Sequence, residues 1–134
     1  MTAINEMTPT ELRIACAEKC GWKYTLNNIG LTVYNPQGNI VRNISLFFLK
    51  NRDDKSVAKL AISNYPDYDH DLNACMELME KIWEKNEIAR IEKCFYDTGT
   101  RYEIIDEYHL SSFGKGNTLP IAIMRAFLTV MEEK

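Results

Sequence analysis

Residues 89–110 read ARIEKCFYDTGTRYEIIDEYHL, and this stretch decides the fold class. In its second arm, Tyr102, Ile104, Asp106 and Tyr108 alternate against Glu103, Ile105 and Glu107. A side-chain period of two belongs to a strand. The first arm runs from Ala89 to Asp97, and Thr98-Gly99-Thr100 stands between the two arms as a turn. Two strands joined so tightly pair antiparallel. The stretch therefore predicts a β-hairpin over 89–97 and 101–110.

On both sides of the hairpin the period changes to that of a helix. Upstream, Leu72, Cys75, Met76, Met79, Ile82 and Trp83 fall on one stripe, with Glu77, Lys81, Glu84 and Lys85 on the other face. Pro66 precedes this helix; Asp69 is the expected cap, with Asp71 in the first turn. Downstream, Leu119-Pro120 opens a last helix whose stripe is Ile121, Met124, Leu128 and Met131, flanked by Ala122, Ala126 and Phe127. A first helix is announced by Thr8-Pro9-Thr10-Glu11, which offers a cap, a proline at the first helical position and a glutamate three residues after the cap. Leu12, Ala15, Cys16 and Lys19 continue it, and Gly21 stops it.

Between the first two helices, Trp22–Leu26 and Leu31–Tyr34 read as strands, separated by Asn27, Asn28 and Gly30. After the turn cluster at 35–39, the stretch 40–49 is rich in β-branched and aromatic residues and reads as a strand, with a helical turn over 44–49 as the alternative. Residues 51–56 read as an exposed loop, and 57–63 fit either helix or strand. The sum is an α+β chain of three helices and a largely antiparallel sheet. Its 134 residues suit one domain, 1–134, with a core built without staples.

Composition narrows the function classes. The net charge of −3 supplies no global field to attract nucleic acid. No apolar run approaches the roughly 20 residues of a membrane helix. The first seven residues lack the apolar core of an export signal. Cys16, Cys20, Cys75 and Cys94 are accordingly expected as reduced thiols of a cytoplasmic protein.

Several residues carry candidate chemistry, each beside a plainer reading. Asp67, Asp69 and Asp71 alternate like the start of a calcium loop, but Leu72 and Leu78 stand where such a loop needs glycine and glutamate. Helix capping is the plainer reading. Cys16 and Cys20 share a helix face and would give half a zinc site, completed by His70 and His109; buried thiols explain them as well. A thiol nucleophile would pair Cys75 or Cys94 with a histidine, and no motif supports it. The chain therefore predicts no catalytic residue, no metal site and no cofactor. Trp22, Tyr65, Tyr68, Trp83, Tyr96, Tyr102 and Tyr108 could stack a ring if exposed; Trp22 and Trp83 read as core. Arg125 is expected to pair with an acidic residue of the second helix or the hairpin. The segment leading into the last helix is the most suggestive. Gly114, Lys115, Gly116, Asn117 and Thr118 read as a loop of small and polar residues ending at a helix N-terminus, where amides and the dipole suit a phosphate or carboxylate. It is not a P-loop, because His109 stands where the first glycine belongs. The plainer reading is a flexible loop capped by Thr118 or Asn117.

Three segments, 12–23, 65–74 and 118–128, carry a resemblance. A helix running into Gly21-Trp22, a Pro66-Asp67-Tyr68 segment opening a helix that ends near Trp83, the hairpin, and a closing helix from Pro120 with Ala122 and Ala126 follow one another in this order. This order resembles the phage ABA sandwich domain family, small proteins of phages and prophages. Two departures stand out: His70, where the family has a small residue or threonine, and the length of 40–62. The resemblance implies a three-layer α/β/α sandwich and a phage or prophage origin, and it implies no reaction. The expected function is that of a non-enzymatic accessory protein in the host cytoplasm that binds a protein partner or its own copy. The alternative is a binder of a small nucleotide-like anion through the loop before the last helix.

Overall fold

The computed structural model describes residues 3–106 and 112–132. The end of the expected hairpin with Tyr108 and His109, residue Ser111, and the first two and last two residues lie outside the described residues. The fold is α+β: two three-stranded antiparallel sheets with α-helices, five of them among the described residues. The chain forms two compact units, Met1–Cys16 with Pro66–Lys134, and Ala17–Tyr65.

Helix α1, Pro9–Cys20, starts as the sequence dictates. The Glu11 amide donates to Thr8 Oγ1 at 3.2 Å and the Thr8 amide to the Glu11 carboxylate at 3.1 Å, a reciprocal capping box. Gly21 takes φ +108° just beyond its end, a conformation that L side chains resist.

In the unit Ala17–Tyr65, strands β1 (Lys23–Leu26), β2 (Gly30–Tyr34) and β3 (Ile40–Ser45) form one sheet in that order. Leu31 and Val33 of β2 are buried, while every residue of β1 is exposed. The stretch 40–49 divides between both expected readings: β3 ends at Ser45, whose side chain accepts from the Phe47 amide and opens the single helical turn α2, Leu46–Leu49. Part of the expected loop is helical. Asp53 accepts from the Ser56 amide at 2.8 Å and caps α3, Asp54–Ile62. This hydrogen bond holds the Asp53 carboxyl below its ordinary range.

In the other unit, α4 spans Leu72–Lys85. Its cap is Asp71, not Asp69: the Asp71 side chain accepts from the Asn73 and Ala74 amides at 3.1 and 3.3 Å. The stripe starts one turn later than expected, since Leu72 is exposed while Cys75, Leu78, Met79 and Ile82 are buried. Strands β4 (Ala89–Tyr96), β5 (Gly99–Asp106) and β6 (Ser112–Gly116) make the second sheet, with β5 central. Tyr96 pairs with Gly99, so the hairpin turns on Asp97-Thr98 rather than on 98–100. Helix α5, Leu119–Glu132, packs on β5 and β6, and α4 packs on α5.

The expected loop over 114–118 is corrected most. Residues 112–116 are strand β6, paired to β5 through Tyr102–Gly116, Glu103–Lys115 and Ile104–Gly114. Only Asn117 and Thr118 remain as a connection. Both glycines are buried against α5. A Cβ on Gly114 would meet Ala126 Cα at 2.9 Å, with Ala126 N and Ala122 O closer still; one on Gly116 would meet Ile121 Cγ2 at 2.6 Å. The glycines serve a close approach of strand and helix, and that packing overrides the turn-like composition.

Candidate functional site

A recess of about 670 Å3 borders β6. Arg101 of β5, Lys115 of β6 and Arg125 of α5 line it, together with Asn5, Asn117 and Glu132. Three elements thus each contribute a basic residue to its lining, which also holds the Glu132 carboxylate; Lys115 stands on the face of β6 opposite Gly114 and Gly116, beside its register partner Glu103. Among the described residues the Arg125 guanidinium makes no ion pair with an acidic side chain. It donates from Nη1 to the Lys115 carbonyl at 2.7 Å and from Nη2 to the Asn5 carbonyl at 3.4 Å. It thereby ties α5 to β6 and to the 3₁₀ turn Ile4–Glu6, while its Nε is buried without a hydrogen-bond partner among the described residues. The Arg101 guanidinium lies 5.3 Å from the centroid of the Tyr96 ring, close enough for a cation–π contact that fixes its direction.

The five sequence-predicted residues separate in role. Gly114, Lys115, Gly116 and Asn117 line the recess, Lys115 and Asn117 being exposed there. Thr118 caps α5, its Oγ1 accepting from the Ile121 amide at 3.4 Å. The helix N-terminus is thus occupied by its own cap. Arg101 and Arg125 were not singled out as ligands in the sequence, because only the β5–β6 register and the packing of α5 bring them to Lys115.

The other candidates find structural roles. His70 Nδ1 lies 3.1 Å from Asp67, and Nε2 lies 3.6 Å from Asp69; Asp71 is the cap of α4. Among the described residues no group of three histidine, cysteine, aspartate or glutamate side chains converges to hold a metal ion. The Cys16 thiol donates to the Met124 carbonyl at 3.6 Å. Burial, reinforced by Asp69, pushes the Cys75 thiol up to about 12. Cys94 is also raised, by partial burial and then by the carboxylates of Glu92 and Glu103. Both shifts run opposite to what a thiolate nucleophile needs. Trp83 is half-buried and its Nε1 donates to the Ala89 carbonyl at 2.8 Å, a ring held in the core by its polar tip. Among the described residues no helix is long and apolar enough to cross a membrane.

Comparison with protein-family models, with curated proteins and with solved structures finds no match to this chain.

Proposed function

We propose that this protein acts by binding, and that its ligand is a small anion bearing phosphate or carboxylate groups, held in the recess between β6 and α5. The observation that carries this reading is that Arg101, Lys115 and Arg125 all line one recess in a chain whose net charge is −3. The order of segments 12–23, 65–74 and 118–128 supports a phage or prophage accessory role in the host cytoplasm. The three-layer sandwich remains part of the same proposal, supported by the antiparallel pairing and by the packing of α5 on β5 and β6. The test is a calorimetric titration of the full chain with pyrophosphate. Arg101→Ala and Lys115→Ala are each expected to weaken binding several-fold at unchanged fold. Unaltered affinity in both variants, or no heat at millimolar ligand, would sink this reading. Gly116→Val is unsuitable as a probe, since its side chain would collide with Ile121.

A second reading, self-association, is favoured by the exposed apolar side chains of the unit Ala17–Tyr65. Phe47 and Phe48 are 75% and 71% exposed and Ile29 is 77% exposed; the Leu46 amide donates to the Ile29 carbonyl at 3.0 Å, which brings them together. Groups so exposed and apolar mark an interaction surface. The edge strand β1, exposed along its whole length, lets a second copy extend the sheet antiparallel across a two-fold axis. Sedimentation velocity across a concentration series checks this. A concentration-dependent dimer lost in Phe47→Ser supports it, and a monomer at all concentrations refutes it.

A further inference from the structure

The unit Ala17–Tyr65 holds a second recess, of about 380 Å3, lined by Glu18, Trp22, Lys23, Tyr24 and Tyr65. Its walls follow from local structure. Gly21, at φ +108°, reverses the chain at the end of α1, and the Trp22 amide donates back to the Ala17 carbonyl at 3.0 Å. This return sets the Trp22 ring beside Tyr65, with ring centroids 5.9 Å apart and planes inclined by 55°. Tyr24, in β1, is partly open to solvent, and Glu18 stands exposed on the last turn of α1. The remaining lining residue is a cation, but Lys23 Nζ lies 5.7 Å from the centroid of the Tyr34 ring. Lys23 and Tyr34 are register partners, whereas Tyr24 pairs with Val33, so this ammonium is engaged on the opposite face of the sheet from Tyr24.

What remains in the recess is the half-buried ring of Trp22, the open ring of Tyr24, the edge of the buried Tyr65 and a carboxylate. Ring faces are electronegative, and they attract a cation most when it is weakly hydrated. A hard metal ion wants several oxygen ligands, and this cleft offers one carboxylate. We propose that the cleft of Glu18, Trp22, Tyr24 and Tyr65 binds a quaternary or methylated ammonium group. The carboxylate of Glu18 supplies the counter-charge and the rings enclose the methyl groups. The Tyr65 hydroxyl, which borders the cleft, is pushed up to about 12 by burial and then by the neighbouring Glu18 and Tyr24. This site is independent of the anion recess, with which it shares no residue.

The test is a nitrogen–proton NMR titration of the full chain with choline, with its uncharged tert-butyl analogue, and with a peptide carrying one trimethyllysine. Saturable shifts of the Trp22 indole are expected with choline or the peptide, with a dissociation constant on the order of 1 mM. The uncharged analogue should bind roughly five- to tenfold more weakly. Stronger binding by choline identifies a free small molecule as the ligand, and stronger binding by the peptide a modified protein tail. Glu18→Gln and Tyr24→Ala alter exposed side chains and should keep the fold while weakening binding several-fold. Equal affinity for the uncharged analogue, absence of saturation with both cations, or full affinity in both variants overturns the proposal.

Discussion

Replacing Gly114 by alanine tests the close packing of β6 on α5 beside the first recess. The new Cβ would stand 2.9 Å from Ala126 Cα and closer to Ala126 N and Ala122 O. All three atoms belong to the backbone of α5, so no rotamer change relieves the contact; strand and helix must part. Forcing a methyl into a packed core costs about 1–3 kcal/mol. Alanine offsets part of this by restricting the unfolded chain, by about 0.4–1 kcal/mol. Because the opposing atoms are backbone, the net loss falls near the upper end, about 2–2.6 kcal/mol. With a urea slope of about 2 kcal/mol/M, the midpoint drops by about 1–1.3 M. Urea unfolding followed by circular dichroism measures it. Gly116→Ala should also destabilise, since Ala122 N and Ile121 Cβ, both at 2.9 Å, are fixed by the α5 backbone and only the Ile121 Cγ2 methyl can turn away. Lys115→Ala, between them in β6 and exposed, should stay within about 0.5 kcal/mol of the parent. A Gly114→Ala midpoint equal to that of Lys115→Ala would refute the close strand–helix approach.

Asp71→Ala should destabilise by about 1 kcal/mol, because it strips the cap from α4, whereas Asp69→Ala should cost less; a reversed order in urea midpoints would restore Asp69 as the cap. Cysteine labelling of the native protein should modify Cys20 and Cys94, which are half-buried, and spare Cys16 and Cys75; rapid labelling of all four without denaturant contradicts the burial. The Cys75 and Tyr65 acids are both raised to about 12 in the fold. Above their ordinary values the unfolded chain releases these protons first, so stability is intact below about pH 9 and declines as pH rises toward 12. Urea midpoints at rising pH check the sign, and Cys75→Ala should flatten the decline whatever its effect at neutral pH.

The sequence made some of this architecture legible and hid the rest for physical reasons. Helix α1 was readable because Thr8 and Glu11 cap it and Gly21 ends it, all within local chain geometry. The hairpin was readable from the alternation in β5. Residues 46–62 were legible only as alternatives, because Leu46-Phe47-Phe48-Leu49 has no period to follow. The signal for α3 lay in the spacing of Asp53 and Ser56, overshadowed by the charged run around them. Strand β6 was hidden because glycines oppose strand propensity, and only α5 explains why Gly114 and Gly116 are needed. The same is true of the site. Lys115 was visible from its neighbours, whereas Arg101 and Arg125 reach the recess through strand register and helix packing.

The two proposed ligands carry opposite charges, and the chain meets them with one net charge of −3. Ionic strength therefore acts on them differently. At about 0.15 M salt the field of a charge is screened within about 8 Å, so the net charge is felt mainly at low salt. There it draws an organic cation toward Glu18 and resists an anion approaching Arg101, Lys115 and Arg125. Adding salt removes help from the cation at long and at short range alike. For the anion it removes a long-range repulsion while weakening a short-range attraction, and the two changes partly cancel. Choline affinity should thus fall steadily with salt, and pyrophosphate affinity should fall less steeply than its three cationic partners alone would dictate.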